Sequence, residues 1–223
     1  MTRADDDRLR VGVLVSGRGS NLQALLDAAA RPGYPARVVL VVSDKEQAPA
    51  LARARTGGVA AVWLNPKDFG DRVAYDVALG RALDEHRVGL VCLAGFMRIL
   101  TGGFVRTFSG RILNVHPSLL PAFPGLHPQR QALDHGVKFA GATVHFVDEG
   151  VDSGPIILQS SVPVEADDTE ASLSARILAV EHRLYPEAVR LFAEGRLTLA
   201  GRKVVVRAAA DRGAGAPPPE ASL

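Results

Sequence analysis

Short runs rich in β-branched residues recur at regular distances along the first part of the chain: RVGVLVS at 10–16, RVVLVVS at 37–43, VAAVWL at 59–64 and VGLVCLA at 88–94. Segments of helical character separate them, from Asn21 to Ala30, from Ala48 to Arg55 with Gly57 and Gly58 closing it, and from Asp71 to His86. Helices that carry the chain from one strand to the next predict a parallel sheet with both faces covered, an α/β fold. VGLVCLA has no polar face at all, which suits a strand buried on both sides.

Further along, RILNVHP at 111–117, ATVHFVD at 142–148 and GPIILQSSVPV at 154–164 read as strands. A last long helix is expected to start near Asp167, where Glu170 fits a capping box, and to carry Leu173, Ile177, Val180, Leu184 and Leu191 at helical spacing. An apolar content of 47% is enough for one core, so a single domain over 9–207 is expected, with residues 1–8 and the Ala, Gly and Pro-rich end 208–223 mobile. A net charge of +2 offers no basic stripe for nucleic acid, and no apolar run approaches the roughly 18 residues that span a bilayer. The single cysteine, Cys92, rules out an internal disulfide and a cysteine-rich zinc site. Together with an N-terminus too acidic for a signal peptide, it points to the cytoplasm.

Ligands of open α/β sheets bind outside the carboxyl ends of the strands, and polar motifs stand at three such ends. In SGRGSN, Ser16 to Asn21, glycines permit a tight turn, and the amides of Gly19, Ser20 and Asn21 at a helix start can hold an anion. The loop is neither a Walker A nor a full dinucleotide fingerprint, and its alternative is a plain turn with Ser20 as helix cap. Asn114 and His116 alternate with period two and therefore leave their strand on one side. An amide that can donate to an oxyanion beside an imidazole is a minimal kit for acyl transfer, although such a pair also occurs as satisfied structural polar groups. The loop HFVDEGVDSGP at 145–155 brings Asp148, Glu149 and Asp152, which could orient a histidine, cap turns or hold a cation. No spaced ligand set for zinc or calcium supports the last use. Cys92 reads as a small buried hydrophobe, His86 and His135 as surface positions, and His127 and His145 as neighbours of these motifs.

Taken jointly, SGRGSNLQA, LAGFMRIL at 93–100, NVHPSLLPAFPGLH at 114–127, HFVDEGVDSGP and EHRLYP at 181–186 resemble the phosphoribosylglycinamide formyltransferase family of purine biosynthesis. The resemblance implies a Rossmann-like open, mostly parallel twisted sheet, with a phosphate-binding N-terminal half and a folate-binding, catalytic C-terminal half. It implies a transfer from 10-formyltetrahydrofolate, as co-substrate and without metal, to the amine of 5-phosphoribosylglycinamide. Asn114, His116 and Asp152 match the family's catalytic group, Gly19, Ser20 and Asn21 its phosphate loop, and Glu181 a ribonucleotide contact. Arg72, Met97, Arg98, Ile99 and Leu100, with Asn114, match its folate pocket. Glu181 and Arg72 enter through the resemblance alone, since a charge on a long helix is ordinarily solvated. Ala122 stands where many relatives have Lys, which removes a charge from that position.

Small-molecule substrates are thus expected, with no nucleic acid and no membrane, and a homodimer is left open. Methionyl-tRNA formyltransferase would be expected to add a C-terminal domain, and formyltetrahydrofolate hydrolase an N-terminal one. A non-catalytic nucleotide-binding module, with Asp44 as ribose ligand, would leave Asn114, His116 and Asp152 without a purpose.

Overall fold

The computed structural model describes residues 7–208. Of the expected termini, residues 1–6 and 209–223 therefore lie outside the described residues. Arg8 is tied to the body, donating from its guanidinium to the Ala29 carbonyl at 3.0 Å.

Nine strands form one sheet in the order β3-β2-β1-β4-β5-β6-β7-β9-β8. Its first part, β1 (Leu9–Val15), β2 (Ala36–Ser43), β3 (Ala60–Trp63), β4 (Leu90–Leu93) and β5 (Ile112–His116), is parallel, as the strand–helix alternation predicts. Period-two alternation divides the side chains between two cores. Val11, Val13, Val15, Val41, Leu90 and Cys92 face α1 (Ser20–Ala29), α2 (Pro49–Thr56) and α6 (Glu170–Ala193). Leu14, Leu40, Val42, Val91 and Leu93 face α3 (Arg72–Glu85) and α4 (Gly102–Thr107). Each fully buried Leu in these layers, such as Leu22, Leu25 or Leu79, stabilises the fold by about 1.5–3 kcal/mol.

The second part departs from the parallel pattern. β6 (Phe139–Phe146) runs antiparallel to both β5 and β7 (Ile156–Pro163), and α5 (Pro128–Asp134) with α6 covers it. An unanticipated hairpin, β8 (Leu197–Ala200) and β9 (Lys203–Val206), closes the edge. These strands, like α4 and α5, are too short for periodicity to disclose.

The start of α6 corrects the expected capping box. Thr169 is the N-cap, accepting from Ser172 N at 3.1 Å while Ser172 Oγ accepts from Thr169 N at 2.9 Å. Asp167 therefore lies two residues before the N-cap, and Glu170, the first residue of the helix, is engaged by Arg130 at 2.9 Å, so the expected pair does not form the box. α1 begins at Ser20 with Gly19 as a left-handed N-cap and no side-chain cap, so Ser20 does not cap the helix and its first amides stay open.

Candidate active site

β5 lies between parallel β4 and antiparallel β6, in a register that sets Asn114 opposite His145 and His116 opposite Thr143. Partners across a ladder project to the same face, so Asn114, His116 and His145 share one side of the sheet. Asp152 reaches them from the β6–β7 loop, in the left-handed region at φ 50°. Its Oδ2 accepts from Gly125 N at 2.8 Å and faces His116 Nδ1 at 3.3 Å. Its Oδ1 accepts from Asn114 Nδ2 at 3.3 Å and faces His145 Nε2 at 3.7 Å.

His116 Nε2 meets the Phe123 carbonyl at 2.9 Å, so each ring nitrogen faces an oxygen. The ring satisfies both only with a proton on each nitrogen. Burial alone would raise the Asp152 pKa. The nearby His145 ring, the hydrogen bond from Gly125 N and the charge of His116 outweigh it and hold the carboxyl below its usual range. The loop 117–127 that supplies Phe123 and Gly125 hangs on buried Thr143, whose hydroxyl accepts from Leu120 N at 3.0 Å and donates to Ser118 O at 2.6 Å. The structure therefore brings Asn114, His116 and Asp152 together and adds His145. His127, exposed at the start of α5, makes no hydrogen bond to this cluster.

Two strands away, the loop after β1 carries Gly19, Ser20 and Asn21. Two interstrand spacings separate β1 from β5 across the sheet by about 10 Å. Gly19 sits at φ 74°, and a Cβ there would lie 2.7 Å from Ala50 Cβ, so α2 packs directly against the turn. Arg53 braces the outside of the loop, its Nε donating to Arg18 O at 2.9 Å. With no side chain capping α1, the amides at its start are the open donors an anion requires.

Glu181 is 6% exposed, contrary to the solvated charge that its place on a long helix implies. Its Oε2 accepts from Asn21 Nδ2 at 2.6 Å, while Asn21 Oδ1 is buried without a partner among the described residues. Burial raises the Glu181 pKa, partly offset by the Asn21 hydrogen bond, and leaves it at about 7. One turn on, buried Tyr185 shares its hydroxyl proton between Leu93 O at 2.9 Å and Leu113 O at 3.0 Å, tying the end of β4 to the early part of β5. Cys92 lies beneath, and burial pushes its thiol up to about 12, which leaves it an inert thiol at neutral pH.

The Glu181 carboxyl carries a stability prediction. Its folded pKa of about 7 lies above the ordinary 4.5, so its contribution is complete below pH 4.5 and is lost as pH rises toward 7. Glu181→Gln is expected to flatten that decline and to unfold less readily than the wild type at pH 8, by on the order of 3 kcal/mol. Urea unfolding at pH 4.5 and pH 8 reads the difference. Equal declines for both proteins would mean that the carboxyl ionises without penalty.

The segment after β4 leaves Met97 and Ile99 exposed and Leu100 half-buried against the α3 side. Arg98 turns inward, its guanidinium carbon 4.8 Å from the centroid of the buried Tyr75 ring. Thr101 N donates to Asp76 Oδ2 at 2.7 Å. Arg72 is exposed at the first turn of α3 and makes no hydrogen bond to the Asp152 cluster. Exposed Leu126 and Val151, each adjacent in the chain to a member of the Gly125–Asp152 hydrogen bond, add apolar surface near the carboxylate. Among the described residues no group of His, Cys, Asp and Glu is arranged to hold a metal, and no helix is long and apolar enough to cross a membrane.

Residues 9–189 match the sequence model of the formyl transferase family. Over 190 residues the chain is 52% identical to the trifunctional purine biosynthetic protein adenosine-3 of Drosophila melanogaster, covering 84% of this chain but only 14% of that protein. It is 47% identical over 191 residues to the phosphoribosylglycinamide formyltransferase of Escherichia coli strain K12, covering 86% of this chain and 90% of the relative. The crystal structure of glycinamide ribonucleotide transformylase 1 from Symbiobacterium toebii superposes with a TM-score of 0.88 at 56% identity, over 90% of this chain and 94% of that one. The sheet order, the strand-end cluster and an identity sustained over nearly the whole length of the Escherichia coli relative lead to one assignment: this chain belongs to the phosphoribosylglycinamide formyltransferase family.

Proposed function

We propose that the chain transfers the formyl group of 10-formyltetrahydrofolate to the amine of 5-phosphoribosylglycinamide, giving the N-formyl product and tetrahydrofolate. The observation that carries this reading is the Asn114–His116–Asp152 cluster, partly enclosed, at the end of a strand two places across the sheet from the strand that leads into an uncapped helix start. That spacing suits a substrate whose phosphate and reacting amine are well apart.

In this reading the amides of Gly19, Ser20 and Asn21 hold the phosphate, and Glu181 with the unpartnered Asn21 Oδ1 receives donors from the ribonucleotide. Met97, Ile99 and Leu100 offer apolar surface to a pterin, Arg98 anchors the segment on Tyr75, and Arg72, exposed at the start of α3, meets the negative charge of the folate. The amine attacks the formyl carbon, forming a C–N bond while the carbonyl oxygen gains negative charge. Asn114 Nδ2 and the doubly protonated His116 stabilise that oxygen. Collapse breaks the bond from the formyl carbon to the folate nitrogen; His116 gives that nitrogen its proton and then takes up the one released by the attacking amine, which restores its starting state. Asp152 keeps the imidazolium oriented and neutralised, and His145 holds the second carboxylate oxygen.

Deformylation of 10-formyltetrahydrofolate, followed spectrophotometrically with and without glycinamide ribonucleotide, tests the assignment. Turnover that requires the ribonucleotide is expected. Equal turnover without it would make water the acceptor and the chain a hydrolase.

The edge hairpin bears on the same loop, because Arg202 donates from its guanidinium to Ser153 O at 2.7 Å, next to Asp152. Arg202→Ala removes one exposed hydrogen bond, worth about 1 kcal/mol or less, so melting should shift by no more than a few degrees. Turnover is expected to fall by roughly threefold as the Asp152 loop loosens. Unchanged turnover would make the contact merely structural.

A further inference from the structure

The loops that leave the neighbouring strands β1 and β4 stay joined beyond the sheet. The ladder continues from Ala94 N to Leu14 O at 2.9 Å and from Ser16 N to Gly95 O at 3.1 Å. Gly95, at φ 74°, then turns the chain back, and Met97 N donates to Ser16 Oγ at 2.8 Å. Ser16 is the residue from which the Gly17–Asn21 loop departs, and Met97 opens the segment 97–100. Away from this contact the two loops are fastened to different helices. Ala50 N donates to Gly17 O at 3.3 Å and Arg53 Nε to Arg18 O, both from α2, whereas Arg98 and Thr101 hold to Tyr75 and Asp76 of α3.

We propose that Ser16 is a positioning residue that couples the two substrate sites, its hydroxyl tying the loop for the phosphate to the segment for the folate so that each substrate tightens the other. The inference rests on the functional reading above. Its physical basis is that ligand ordering of one loop fixes Ser16 and with it the Met97 amide, so the second ligand has less conformational freedom to remove. Linkage makes the effect reciprocal.

Calorimetric titration of the full chain with tetrahydrofolate, which lacks the formyl group and cannot react, is done alone and with saturating glycinamide ribonucleotide, and then in the reverse order. A mutual tightening of roughly fivefold or more is expected. In Ser16→Ala the Met97 amide loses its acceptor, so the folate Kd should rise on the order of tenfold and the tightening should vanish. Ser16→Thr, which keeps the hydroxyl, should retain it. In the unaltered protein, hydrogen exchange at the Met97 amide should slow when the ribonucleotide alone is bound. Two ligands that bind independently, an undiminished coupling in Ser16→Ala, or an unchanged Met97 exchange rate would each overturn the proposal. A chain that binds neither ligand would instead overturn the functional reading, and the coupling with it.

Discussion

Asp152→Asn should lower turnover by about 100- to 10,000-fold, the range typical of a disabled acid–base group, with the KM of both substrates changed much less. The substitution keeps size and removes charge, and the geometry leaves the new amide no comfortable orientation. If its NH2 replaces Oδ2 it confronts the Gly125 N–H, and if it replaces Oδ1 it confronts Asn114 Nδ2, so a donor meets a donor either way. His116 meanwhile loses the anion beside Nδ1, which orients the ring. Stability carries a second signature. The depressed Asp152 pKa contributes stability that is complete above the ordinary carboxylate range and is lost as pH falls through the lowered value. The variant should lack that acid-side decline. Turnover and urea unfolding against pH, measured on both proteins, decide the matter. Near-normal turnover would reduce Asp152 to a turn former, a part its φ of 50° already lets it play and one that Asn fills well.

Gly19→Val is expected to raise the KM for the ribonucleotide on the order of 100-fold, with kcat changed far less, because the charge-assisted bonds from loop amides to a phosphate are worth about 1.5–3 kcal/mol each. Two separate strains act on the loop. A β-branched residue at φ 74° is sterically unfavourable by about 1–3 kcal/mol, and its Cβ would lie 2.7 Å from Ala50 Cβ and 2.9 Å from Ala50 Cα. Since Ala50 belongs to α2, the loop cannot yield without displacing that helix, and melting should fall by several degrees as well. The two strains separate in a smaller pair of variants. Gly19→Ala combined with Ala50→Gly removes the contact with the Ala50 Cβ but keeps the one with its Cα and the dihedral strain, so it should recover a part, and only a part, of the melting temperature lost by Gly19→Ala alone. A correctly folded Gly19→Val with an unaltered KM would remove the loop from the ribonucleotide site.

Glu181 and Arg72 show opposite fates for residues that periodicity treats alike. Both stand on long helices, yet Glu181 is buried against Asn21 and Arg72 is exposed. The difference lies in which helix face meets another element. For Glu181 that element is α1, 160 residues away in the chain, and no local pattern announces it. Glu170 fails as a capping partner because Thr169, rather than Asp167, is the N-cap, which puts Glu170 at the first helical position and Ser172 at the third.

The amino-acid sequence by itself determined the alternation of strands and helices, the parallel half of the sheet, the shared side of Asn114 and His116, and the glycine loop before α1. All of these follow from the period of the backbone or from the φ values glycine allows, which act over a few residues. The tertiary structure alone decided that β6 runs antiparallel to β5 and sets His145 opposite Asn114, and that Asp152 returns from 38 residues beyond Asn114 to hold three side chains. It also decided that Ser16 reaches Met97 across 81 residues and Arg202 reaches Ser153 across 49. The physical reason is common to all four. Each contact is set by strand register and loop closure between distant segments, and these are settled by packing of the whole sheet rather than by any local preference.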